Sequence, residues 1–170
     1  MKITHPIAPV YNEKSEKLIL GSFPSEASRA SGFFYGHPQN RFWRVLAAVY
    51  GDRTPETKEE KIEFLTGRRL ALWDVAAECD VTGSADSSIA DARPNDLGII
   101  LNCAPIKQIF VNGRLAQSLY NKFILPITGQ NAVYLPSTSP ANAAWSVGRL
   151  TDAWSIIRGD NNGRGKTPPV

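Results

Sequence analysis

The chain has 170 residues, of which 42% are hydrophobic and 21% charged, with a net charge of +3. This is one folded domain's worth of ordinary globular composition, and the net charge is too small to name a partner. No run of about 18 apolar residues exists to cross a membrane, and the opening MKITHPIAPVYNEK lacks the apolar stretch of a signal peptide. The two cysteines, Cys79 and Cys103, make neither a disulfide framework nor a four-ligand zinc site. A cytoplasmic protein whose two thiols pack as small apolar groups is the expectation.

Strands and helices alternate along the chain. The first apolar run, Lys17–Gly21 (KLILG), ends in glycine and predicts a strand. A long loop of about 22–39 follows, and loops of that length are usually functional. Residues 40–50 place Trp43, Leu46, Ala47 and Tyr50 on one helical face, and Gly51 ends the pattern. Residues 57–66 read as a charged surface helix, and LALWDV at 70–75 as a second strand. Helices over 96–102 and 114–123 flank a third strand over 106–111 (IKQIFV). A fourth strand at 132–135 (AVYL) leads into PSTSPAN, then into a last helix carrying Trp145, Leu150, Trp154 and Ile157. With no repeat or internal linker, residues 1–158 form a single domain, and 159–170 (GDNNGRGKTPPV) read as a flexible tail. The order predicts an α/β fold with a mostly parallel four-stranded sheet covered on both faces, binding ligands beyond the carboxyl ends of its strands.

Charge is unevenly distributed. No acid lies between Glu26 and Asp52, an interval holding Arg29, Arg41 and Arg44, nor between Asp96 and Asp152, which holds Lys107, Arg114, Lys122 and Arg149. These stretches are either a face on which a polyanion docks or acid-free because they are buried.

Several catalytic signatures fail. The GKT of the tail has Asp160 where a phosphate-binding loop needs glycine, and Pro168 and Pro169 bar the helix that should follow. There is no Gly-x-Ser-x-Gly, no His-x-x-x-His, no Cys-x-x-Cys and no Gly-x-Gly-x-x-Gly, and the histidines are His5 and His37 alone. Neither metal nor dinucleotide chemistry is expected. A serine triad using Ser22 or Ser25 with His37 has no local signature.

Three segments remain: Gly21-Ser22-Phe23-Pro24-Ser25, the run from Gly32 to Trp43 (GFFYGHPQNRFW), and Leu135–Asn142 (LPSTSPAN). Gly and Pro shape a backbone that a ligand can approach closely. Phe33, Phe34 and Tyr35 supply a platform for a flat ring, and Ser137 and Ser139 suit phosphate oxygens. Asn40, where the loop enters a helix, is placed to cap that helix or to face a cleft. His37 before Pro38 reads as a loop-shaping residue, and the four tryptophans as core.

The Gly-x-x-Pro turn after the first strand, the Tyr35–Trp43 segment YGHPQNRFW and the Pro-Ser loop after the last strand resemble the uracil-DNA glycosylase superfamily, closest to its hypoxanthine-DNA (deoxyinosine) glycosylase branch. The likeness spans about residues 5–158. It implies a three-layer α/β/α sandwich and a monofunctional DNA glycosylase that hydrolyses the N-glycosidic bond of a flipped, deaminated base. It further implies DNA as partner, no cofactor and no metal.

Two departures from the superfamily bear on specificity. Phe23 stands where uracil-specific members carry a water-handling Asp or Asn, and Leu135 where they carry a His. The resemblance therefore moves the catalytic role to Asn40. It assigns base binding to Gly21, Ser22, Phe23, Pro24, Tyr35 and Asp74, with Tyr35 stacking on the base and Asp74 reading its edge. DNA contacts fall to Ser25, His37, Pro136, Ser137, Thr138, Ser139 and Pro140, the segment from Thr138 to Pro140 wedging into the gap left by the flipped nucleotide. Uracil or thymine mismatches with guanine are the alternative substrates, and a non-catalytic nucleic-acid-binding protein or a serine-based small-molecule hydrolase the alternative classes. The lack of a heptad or an exposed apolar run predicts a monomer.

Overall fold

A computed structural model describes residues 1–80 and 90–159. The core is a four-stranded parallel sheet in the order β3-β2-β6-β7, formed by β2 (Lys17–Gly21), β3 (Leu70–Asp74), β6 (Gln108–Asn112) and β7 (Val133–Leu135). Leu18, Ile19 and Leu20 of β2 are wholly buried, as are Leu70, Ala71 and Leu72 of β3. Such unbroken apolar runs suit strands covered on both faces.

The strand order reverses between β2 and β6. From β2 the chain crosses to β3 through α1 (Glu26–Ser31), α2 (Phe42–Val49) and α3 (Lys58–Gly67). From β6 it crosses the other way to β7 through α5 (Arg114–Leu119), a π-helical turn at Tyr120–Ile124 and α6 (Leu125–Thr128). Right-handed crossovers running in opposite directions place these helices on opposite faces of the sheet. After β7, α7 (Val147–Trp154) packs against α2, with the Trp154 ring edge-on to Phe42 at 5.7 Å, and α8 (Ile156–Gly159) follows. The result is a three-layer α/β/α sandwich whose switch point opens at the carboxyl ends of β2 and β6.

One feature has no counterpart in the predicted elements. A second sheet, antiparallel and in the order β1-β4-β5, joins β1 (Lys2–Thr4), β4 (Ala76–Asp80) and β5 (Ala90–Pro94). It springs from the end of β3, and the short helix α4 (Gly98–Leu101) leads from it towards β6. Phe23, Ala76 and Cys79 form a small core beneath this sheet. Burial pushes the Cys79 thiol up, away from the reactive thiolate. Cys103, by contrast, is exposed and packs in no core.

Two further expectations are adjusted. The predicted loop at about 22–39 contains α1, capped at Ser25, and Gly159 at the start of the predicted tail closes α8. The GKT sequence and the rest of the predicted tail lie outside the described residues.

Candidate nucleic-acid site at the carboxyl ends of the strands

Gly21 and Asp74 are register partners at the ends of β2 and β3. A Cβ built on Gly21 would lie 2.4 Å from Asp74 Oδ1 and 2.8 Å from the Tyr35 hydroxyl. Gly21, Asp74 and Tyr35, taken from three segments of the sequence, thus converge on one point at the switch point of the sheet.

Asp74 is a fixed, buried carboxylate. Its Oδ2 accepts from His5 Nε2 at 2.8 Å, and both side chains are almost wholly buried. Asn95 Nδ2 donates to the carbonyls of Asp74 and Ala76 at 2.9 and 3.1 Å, pinning the backbone around it. A buried charge requires such partners, because an uncompensated one is costly.

Tyr35 adopts a positive φ of 54°, and its ring stacks on Phe42 at 4.0 Å. Its hydroxyl accepts from Asn112 Nδ2 at 3.2 Å. One face of the expected base-stacking ring is therefore covered by Phe42, and its edge and hydroxyl turn towards Gly21. Asn112, at the end of β6, also donates to Thr138 Oγ1 at 3.1 Å and accepts from Thr138 N at 3.2 Å. It ties the strand end, the aromatic loop and the serine-rich loop together, and no local motif marks it.

The N-cap of α2 is Arg41, with no side-chain cap bond, so Asn40 stands one residue before the cap and serves the first helical N–H instead. Its Oδ1 accepts from Phe42 N at 2.9 Å, while its own N–H donates to the His37 carbonyl. An amide oxygen has a second lone pair, and Asn40 remains half-exposed, so this bond leaves both Oδ1 and Nδ2 able to meet a water. His37 shapes the loop as expected, its Nδ1 accepting from Gln39 N at 3.0 Å. That bond places the proton of the neutral ring on Nε2, which remains a donor.

Arg41 performs a task the sequence does not announce. Its Nη2 donates to the carbonyls of Ser139 (2.8 Å) and Asn142 (3.1 Å), its Nε to that of Thr138 (3.4 Å), and its Nη1 to that of Trp145. Its backbone N–H also reaches the Thr138 carbonyl at 3.1 Å. A planar fork of donors suits this cluster of carbonyls, and a lysine cannot reproduce it. Arg41→Ala is expected to lower stability by about 1.5–3 kcal/mol, the range for hydrogen bonds to charged groups. Arg41→Lys should recover only part of the loss, as thermal melts of the two variants would show.

The segment 135–142 corrects several expectations. Thr138 is fully buried and bonded to Asn112, so it cannot wedge into a duplex. Pro136 is buried and its carbonyl accepts from Trp154 Nε1 at 2.9 Å, so it offers no DNA contact. Ser137, Ser139 and Pro140 stay half-exposed, with Ser139 N bonded to Ser137 Oγ at 3.1 Å. Gly113, at a φ of 95°, lets the loop after β6 meet this one: a Cβ there would lie 3.2 Å from Ser137 Cβ.

In the first motif, Ser22 is half-exposed, while Phe23 and Pro24 are buried. Phe23 belongs mainly to the small core beside Ala76 and Cys79, its edge against the His5 ring at 5.8 Å. Ser25, expected on a phosphate, has its hydroxyl engaged by Ser28, whose N–H and Oγ both lie 3.2 Å away. Of the tryptophans, Trp43, Trp73 and Trp154 are core, but Trp145 is half-exposed beneath the Arg149 guanidinium, 3.8 Å away.

The two acid-free stretches meet here, through Tyr35 with Asn112 and Arg41 with residues 138–145. Arg114 and Arg149, both exposed, stand over Tyr134 and Trp145 beside the serine-rich loop. Among the described residues no cluster of His, Cys, Asp and Glu could hold a metal, and no helix is long and apolar enough to cross a membrane.

Residues 8–158 match the family model of the uracil DNA glycosylase superfamily. A hypoxanthine DNA glycosylase of Methanosarcina acetivorans is 34% identical over 151 residues, covering 88% of this chain and 94% of that protein. Another, of Methanosarcina barkeri, is 35% identical over 136 residues, covering 79% and 85%. A solution NMR structure from Methanosarcina acetivorans, of a protein taken for a uracil DNA glycosylase, superimposes with a TM-score of 0.78 at 34% identity, covering 93% of this chain and 98% of that one. Sequence match, relatives and fold agree: the chain belongs to the uracil DNA glycosylase superfamily.

Proposed function

We propose that this protein is a monofunctional DNA glycosylase that excises a deaminated base, hypoxanthine first. The observation that carries this reading is the buried Asp74 carboxylate, one oxygen held by His5 and the other beside Gly21 and Tyr35 at the mouth of the sheet. A carboxylate oxygen there accepts the N1–H of hypoxanthine, which adenine lacks. The names of the two Methanosarcina relatives agree with that choice.

The chemistry needs a flipped nucleotide, a held base, a placed water and support for charge that develops as the bond breaks. Gly21 gives the base edge access to Asp74, and Tyr35 borders the same space. Asn40 orients the attacking water; its neutral amide positions rather than deprotonates. As the N-glycosidic bond breaks, its electron pair leaves with the base and the sugar passes through an oxocarbenium-like state; water then adds at the sugar carbon and gives up a proton, the base takes one up, and an abasic site remains. The three motif segments contain no lysine to form a Schiff base, so strand cleavage does not accompany release. Ser137, Ser139 and the Nε2–H of His37 meet phosphates, and Pro140 occupies the gap left by the flipped nucleotide.

Arg114 and Arg149 supply the charge for the backbone. Arg114→Ala and Arg149→Ala are each expected to weaken duplex binding uniformly and to reduce the slope of log affinity on log salt by about 1. Titrations at several salt concentrations read this out.

The central test is base release from labelled duplexes carrying one hypoxanthine opposite thymine, or one uracil or thymine opposite guanine. Hypoxanthine release, with strand breakage only after alkali, is the expected result. Release of uracil or thymine alone would move the specificity to mismatch repair. Duplex binding with no release from any substrate would leave a nucleic-acid-binding module in place of an enzyme.

A further inference from the structure

His5 lies outside every motif of the sequence, yet it touches the carboxylate at the centre of the site. The antiparallel sheet brings it there. β1 pairs with β4, Thr4 opposite Glu78, and the His5 N–H donates to the Ala77 carbonyl at 2.6 Å. The imidazole then reaches back to Asp74, 69 positions along the chain. Phe23, Phe34 and Trp73 surround the ring, with centroids at 5.8, 6.1 and 6.4 Å. This is a rigid, nearly dry enclosure for two polar side chains.

The hydrogen bonds around the ring run one way. The Ile7 N–H donates to His5 Nδ1 at 3.2 Å, so Nδ1 carries a lone pair and the proton of the neutral ring sits on Nε2. Nε2–H therefore donates to Asp74 Oδ2, which fixes that oxygen as an acceptor. The other oxygen, Oδ1, is the atom nearest the empty position beside Gly21. Both ring nitrogens are engaged, so His5 cannot itself reach a substrate.

We propose that His5 is a positioning residue for base recognition. By donating to Asp74 Oδ2 it holds the carboxylate in one orientation as an acceptor and presents Oδ1 to the N–H of the flipped base. The proposal rests on the reading of Asp74 as the group that meets the base edge. It extends the functional site to the amino-terminal strand. It also gives the second sheet a purpose, which is to deliver a donor to the back of the pocket.

The test compares His5→Leu, His5→Gln, Asp74→Ala and the double variant His5→Leu/Asp74→Ala in single-turnover release of hypoxanthine. Affinity for undamaged duplex and thermal melts accompany each. His5→Leu is expected to slow release by about 10–100-fold, as the loss of a group that orients an acting ligand does. Duplex affinity should stay unchanged. The Gln amide restores a donor near the position of Nε2 and should recover most of the rate. The double variant should be no slower than Asp74→Ala, since the two residues act in one chain. A His5→Gln variant that melts like the wild type yet releases as slowly as His5→Leu would overturn the donor role. A double variant slower than Asp74→Ala by the full His5→Leu factor would show that His5 does not act through Asp74, and would leave the base reading standing. Release at the wild-type rate by Asp74→Ala would remove the base reading itself, and this proposal with it.

Discussion

Asn40→Ala is expected to slow single-turnover hypoxanthine release by about 10²–10³-fold, the scale of losing one preorganised group at the reacting centre. The same change removes the side-chain oxygen that accepts from Phe42 N at the start of α2. One lost hydrogen bond costs about 1 kcal/mol, or roughly 2–4 °C in Tm for a chain of this size. The two effects separate cleanly. Stability falls slightly, duplex affinity stays near the wild-type value, and turnover collapses. Asn40→Asp sharpens the distinction, because a carboxylate still accepts from Phe42 N and also from the water. It should melt like the wild type and retain more activity than the alanine variant. Base release by the alanine variant at the wild-type rate would reduce Asn40 to a residue that shapes the entry to α2.

The parallel sheet and the switch point were legible because their signals are local. KLILG and LALWD are continuous apolar runs, and strands buried on both faces need nothing more. Gly21, Tyr35, Asn40 and Asp74 were legible through motifs and a family resemblance, and the structure brings Gly21, Tyr35 and Asp74 to one point. The second sheet was not. Its strands, KIT, AAECD and ADARP, are short and mixed in polarity, and β1 is far in sequence from its partner β4, with Lys2 opposite Asp80.

Partnerships across distance account for the other differences. Arg41 binds backbone carbonyls about 100 positions away, and carbonyls leave no mark in a sequence. Thr138 looked like surface because it stands among Ser and Pro. Its polar atoms are instead satisfied by Asn112, which makes burial tolerable. Ser25 illustrates the ambiguity of a hydroxyl before a helix: the cap reading and the phosphate reading demand the same residue, and only the neighbouring Ser28 decides.

Gly21→Ala is expected to be at least as damaging to turnover as Asn40→Ala, for a steric reason. The new methyl would lie 2.4 Å from Asp74 Oδ1 and 2.8 Å from the Tyr35 hydroxyl, well inside van der Waals contact. Neither neighbour can retreat easily. Asp74 is held by His5 at 2.8 Å within a ring of Phe23, Phe34 and Trp73. Tyr35 is stacked on Phe42 at 4.0 Å and bonded to Asn112. Overpacking of this kind costs about 1–3 kcal/mol of stability. The larger consequence is functional, since the methyl occupies the position a base edge must take to reach Asp74. Turnover should fall by more than about 100-fold even where the protein remains folded, as a misplaced reacting group alone costs that much. Gly67→Ala, in α3 with open space around an added Cβ, is the matched control and should change little. A Gly21→Ala protein with a lowered Tm but undiminished base release would mean that the space between Asp74 and Tyr35 is not where the base sits. The search for the pocket would then shift along the cleft towards Asn40 and the serine-rich loop.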